Sequence, residues 1–91
     1  NENQVTDVAP LAGLSSLSKL YLGNNKISAI TPLADLTELT RLYLHQNQIS
    51  DTSPLSKLKR LKVLALVGNS INESQRIMLK EALPDCIISL D

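Results

Sequence analysis

Apolar letters return along this chain at fixed steps. "LSKLYLGNNKIS" (residues 17–28) and "LTRLYLHQNQIS" (residues 39–50) share most of their letters, and their starts lie 22 residues apart. The same shift aligns Leu14, Leu36 and Leu58, then Leu17, Leu39 and Leu61, then Leu20, Leu42 and Leu64, then Leu22, Leu44 and Leu66. Leu11, Leu33 and Leu55 form a fifth column, beside Pro10, Pro32 and Pro54. Five columns of three hold fifteen of the eighteen leucines, so composition alone does not explain the spacing. Within "LYL" two leucines flank an outward residue, the period-two pattern of a short strand buried on one face. Asn25, Asn47 and Asn69 follow, where an amide can bond backbone groups of the turn and of the adjacent coil, and Ile27, Ile49 and Ile71 come next. Leaving such buried groups unpaired costs about 1–3 kcal/mol each, which accounts for a polar column among apolar ones. The prolines fix φ at the start of the return path and disfavour an α-helix there, so the outer side is predicted to be 3₁₀ or extended.

Both ends depart from this step. "NESQRIMLKEALP" predicts a helix with Asn72 as N-cap and Gln75 three residues on, a capping-box arrangement. Ile77, Met78, Ala82 and Leu83 are expected to share its apolar stripe, with Leu79 on the margin and Pro84 stopping the helix. "CIISL" predicts a last short strand. Residues 1–71 are accordingly taken as repeats, the first one partial, and residues 72–91 as a cap over the final layer. Asn72-Glu73-Ser74 also fits a glycosylation sequon, but capping is the favoured role. At the front, Asn3 matches the asparagine column and Val5 and Val8 match the isoleucines, so the chain opens inside a repeat whose strand is absent. The strand at residues 17–22 would then have an unpaired edge. Two expectations follow: a longer solenoid, or self-association through that edge.

A fixed step of roughly 20–29 residues marks a leucine-rich repeat solenoid. The expected fold is α/β: a right-handed solenoid with a parallel sheet on its concave side, 3₁₀ or extended structure on its convex side and a helix–strand cap. The pattern LxxLxxLxLxxNxIxxIxPLAxL, running from residue 3 to about residue 72, resembles the repeat of the bacterial internalins. It is also similar to the leucine-rich arm of bacterial Roco GTPases and to eukaryotic phosphatase-regulator repeats. "PLA" at residues 10–12 and 32–34 leans toward the bacterial side, whereas Ser74 and Arg76 depart from the expected Ile and Pro. The resemblance implies a concave protein-binding face on a secreted or cell-surface protein. Its alternative implication is a regulatory arm of an intracellular GTPase or phosphatase complex.

Composition narrows the field further. Nine basic and nine acidic side chains cancel, and Tyr21 and Tyr43 are the only aromatic residues, so neither a global field nor a broad stacking platform favours nucleic acid. With no Phe or Trp, the interior must be built from Leu, Ile, Val and Ala in thin layers. Cys86, the single cysteine, can form neither an internal disulfide nor a thiolate metal site alone. No apolar run approaches the roughly 18 residues of a membrane span. The opening at Asn1 without Met suggests a mature or excised piece.

The inner leucines determine which side chains face out from the strands. The first repeat presents Lys19, Tyr21, Gly23 and Asn24; the second presents Arg41, Tyr43, His45 and Gln46; the third presents Val63, Ala65, Val67 and Gly68. Tyr21 should therefore stand beside Tyr43 and Lys19 beside Arg41, with Val63 and Val67 extending the face in apolar form. Tyrosine and arginine are enriched at binding hot spots, which makes this column pair the candidate recognition patch. The plainer alternative is a cross-strand ladder of high β-propensity. Two like charges on adjacent strands cost some stability, which either a partner carboxylate or solvent would relieve.

No chemistry beyond binding is indicated. The basic run "KLKRLK" (residues 57–62) follows the lattice, and stacking should set Lys57 beside Asp35 and Arg60 beside Glu38 as inter-coil pairs of small individual value. His45 has Asp51, Ser50 and Ser53 near it in sequence, but nothing forces them into a triad. Cys86 falls about two coils away from His45, and no Gly-rich phosphate loop or pair of metal-ligating histidines occurs. The expected protein is non-enzymatic, without cofactor or metal, and takes a protein partner. A structural or self-assembling segment is the competing expectation.

Overall fold

The computed structural model describes residues 6–90. Three short strands, β1 (Lys19–Tyr21), β2 (Arg41–Tyr43) and β3 (Val63–Ala65), each follow a 3₁₀ turn: Ala9–Leu11, Thr31–Asp35 and Ser53–Lys57 respectively. A helix α1 (Glu73–Ala82) and a strand β4 (Ile87–Ser89) complete the chain. The four strands form one parallel sheet in the order β1-β2-β3-β4, so each coil adds a strand beside the last. Register follows the 22-residue step: Lys19 pairs with Arg41, Leu20 with Leu42 and Tyr21 with Tyr43, and β2 pairs with β3 in the same way. Backbone bonds carry the ladder past the strands: the Asn24 N–H donates to His45 O at 2.9 Å and the Gln46 N–H to Val67 O at 2.7 Å.

Each predicted column has a structural role. Proline occupies the start of every 3₁₀ turn, where its fixed φ suits the turn and no N–H is lost. Leu33, Leu36, Leu39, Leu42 and Leu44 of the second coil, and Leu55, Leu58, Leu64 and Leu66 of the third, are fully buried in one core that also takes in Val8, Ile27, Ile30 and Ile49. The asparagines tie coil to coil. Asn47 Nδ2 donates to Leu22 O of the coil before (2.9 Å) and to Leu44 O of its own (3.0 Å), while its Oδ1 accepts from the Ile27 N–H. Asn69 repeats the arrangement with Leu44 O, Leu66 O and the Ile49 N–H. The match of Asn3 and Val5 to the asparagine and isoleucine columns lies outside the described residues.

The helix departs from expectation in two respects. Leu79 sits fully buried at the centre of its contact face, not on the margin, and Ile77 is 49% exposed. The reason is a polar anchor. Gln75 Oε1 accepts from the Thr52 N–H (2.8 Å) and the Thr52 hydroxyl (2.7 Å), which turns the Gln75–Leu79–Leu83 line toward the third 3₁₀ turn. The capping box is therefore half made. The Gln75 N–H donates to Asn72 Oδ1 at 2.9 Å, but the Gln75 side chain serves Thr52. Lys59 Nζ donates to Ala82 O in the last helical turn, a cation where the helix dipole is negative. Strand β4 covers β3 in register, with Ile88 opposite Leu64.

Candidate functional site: the outer face of the sheet

Alternation along the strands sends Leu20, Leu42 and Leu64 inward and leaves residues 19, 21, 41, 43, 63 and 65 on the outer face. Tyr21 and Tyr43 stack, with ring centroids 4.7 Å apart and planes 5° from parallel. Tyr21 is 56% exposed and Tyr43 half-buried. Beside them Lys19 and Arg41 are exposed in register. Arg60 pairs with Glu38 (2.9 Å, both side chains exposed), and among the described residues no carboxylate pairs with Lys19 or Arg41. Lys57 and Asp35, expected as a second inter-coil pair, do not form one: both stay exposed on the solvated 3₁₀ side, where contact is weakly rewarded.

The turn after each strand takes a left-handed residue in the same column: Asn24 (φ 60°), Gln46 (φ 56°) and Gly68 (φ 84°). Asparagine and glycine tolerate this region, whereas Gln46 is held there at some cost. The Gln46 side chain leans over Gly68, and the His45 ring lies over Gly23, which is buried beneath it. A Cβ at Gly23 would meet the imidazole, so this glycine is what gives the His45 ring its place over the first coil. Val63 and Val67 are half-buried on the third coil. Ile87, in register with Val63, extends that apolar row onto β4 and is 69% exposed. Reading "CIISL" as a cover strand misses Ile87; the same alternation that packs the half-buried Ile88 against the core sends its neighbour out.

The other chemically suggestive residues do not converge. Asp51 Oδ1 accepts from the Ser53 N–H and hydroxyl, which holds its carboxyl below the usual carboxylate range and ties both groups to the start of the third 3₁₀ turn. Cys86 lies just before β4, and burial pushes its thiol up. Among the described residues no group of three His, Cys, Asp or Glu side chains could hold a metal ion. No helix of the described residues is long and apolar enough to cross a membrane.

Comparisons with known proteins agree with this architecture. Residues 1–35 and 37–76 match the family profile of Leucine Rich repeats (2 copies). No curated protein sequence matches the chain. Among solved structures it is similar to internalin C2 of Listeria monocytogenes, with 39% identity and a TM-score of 0.92 over 100% of this chain and 39% of that one. Internalin F of the same organism aligns at 37% identity and a TM-score of 0.89, over 94% of this chain and 25% of that one. A leucine-rich repeat protein of Leptospira interrogans aligns at 25% identity and a TM-score of 0.69, over 94% of this chain and 29% of that one. The chain thus spans well under half the length of these solved proteins. Its 22-residue lattice, asparagine ladder and parallel sheet are those of a leucine-rich repeat protein, and the chain belongs to that family.

Proposed function

We propose that this protein is a non-enzymatic recognition module that binds a protein partner on the concave, strand-bearing side of its solenoid, through Lys19, Tyr21, Asn24, Arg41, Tyr43, His45, Gln46, Val63 and Val67. The observation that carries the reading is the exposed Tyr21–Tyr43 stack, which joins the chain's only two aromatic side chains on a rigid sheet. Aromatic area held in place before contact lowers the ordering cost of association. The similarity to Listeria internalins supports a secreted or cell-surface location.

The test is a displayed protein library selected on the intact chain. Binders should be lost on the Tyr21→Ala/Tyr43→Ala variant, retained on a Glu38→Ala/Arg60→Ala variant, and both variants should melt like the parent. Binders that ignore the tyrosines would refute the reading. Self-association is a second reading, favoured by one observation: among the described residues β1 has no strand on its outer side, and Leu14 nearby is 47% exposed. Sedimentation across a range of concentrations decides it, since a persistent monomer excludes self-pairing.

A further inference from the structure

The outer face of the sheet is chemically divided, and we propose that it selects an acidic–aliphatic protein segment, with carboxylates over β1 and β2 and branched aliphatic side chains over β3 and β4. This rests on the concave-face reading above and specifies the partner's chemistry. The division follows from register. One row crosses the strands as Lys19, Arg41, Val63 and Ile87, and the next as Tyr21, Tyr43, Ala65 and Ser89. Moving across the sheet therefore exchanges cation and ring for aliphatic surface.

Charge is segregated although the whole chain is neutral. The described acidic residues are Asp7, Asp35, Glu38, Asp51, Glu73, Glu81 and Asp85; none lies on a strand or in the turns at residues 22–26, 44–48 and 66–70. Lys19 and Arg41 thus repel each other across neighbouring strands with no carboxylate among the described residues to offset it, and an incoming carboxylate relieves that repulsion. The stack acts in the same sense. Each ring turns one face to the other, so a partner approaching from above meets edges and hydroxyls, and the edge is the positive part of the ring quadrupole. At the far end Ile87, Val63 and Val67 offer aliphatic contact. From β2 to β4 is two strand spacings, about 10 Å, which an extended chain crosses in roughly three residues.

The experiment is a displayed random-peptide library selected on the intact chain, with enriched clones titrated against variants of exposed residues. Enriched clones should carry Asp or Glu a few residues from Leu, Ile or Val. Lys19→Glu/Arg41→Glu should weaken them by about tenfold or more, with a steep salt dependence, and Ile87→Ser should weaken them less, with the melting temperature unchanged. Clones that depend on Tyr21 and Tyr43 but lack acidic residues, or that bind the charge-reversed variant equally well, would overturn this inference and leave the concave-face reading standing. Clones indifferent to the two tyrosines would overturn both. Binding of an oligo-dT strand that disappears on charge reversal would overturn it in favour of nucleic acid.

Discussion

The first and second coils are spelled almost alike, yet they do different amounts of structural work. Leu36, Leu39, Leu42 and Leu44 of the second coil are fully buried. Their counterparts are not: Leu14 is 47% exposed, Leu17 and Leu22 are half-buried, and only Leu20 is classed with the core. The letters are the same and the neighbours differ, because the second coil is packed between the first and the third. In a stacked architecture a leucine's contribution comes from the coils on either side of it, so one column holds residues of unequal value.

Paired truncations give the largest effect. Leu36→Ala should cost about 2–5 kcal/mol in denaturant unfolding, while Leu14→Ala should cost no more than about 1 kcal/mol. Equal losses at the two positions would break the comparison. Next comes the asparagine that joins these two coils. Asn47→Ala leaves the buried Ile27 N–H without its acceptor and removes one of the two amide donors from each of the Leu22 and Leu44 carbonyls, which Asn25 and Asn69 still serve; it should cost about 2–3 kcal/mol by the same measurement. A smaller effect is expected at the opposite end, where Gln75→Ala leaves the fully buried Thr52 hydroxyl and N–H without their acceptor. It should cost about 1–2 kcal/mol and speed amide exchange in α1 before the sheet is affected. The smallest change has the opposite sign. Gln46→Gly removes a left-handed non-glycine residue and should raise stability by up to about 1 kcal/mol, measured as a higher denaturant midpoint.

Much of the sheet's outer face was legible before any coordinates, because a fixed 22-residue step dictates register. Tyr21 beside Tyr43 and Lys19 beside Arg41 follow from it directly. Other features had no such warrant. Thr52 falls in the column of Val8 and Ile30, and its polar side chain is explained only by Gln75, which lies 23 residues away on a different kind of element. That contact also rotated the helix, bringing Leu79 to the centre of its packed face and leaving Ile77 outside. The His45 ring over Gly23 is likewise a matter of rotamer and neighbouring backbone, which spacing does not encode.

Periodicity alone determined the coil length, the strand positions, the asparagine ladder and the identity of the outward side chains, since a repeated step constrains the backbone and every coil meets the next in the same way. The tertiary structure alone decided how deeply each coil is buried, how the helix docks and which aliphatic residues continue the face onto β4. Those outcomes depend on contacts between unlike elements, where no repeat enforces a register and side-chain packing and hydrogen-bond satisfaction choose among orientations.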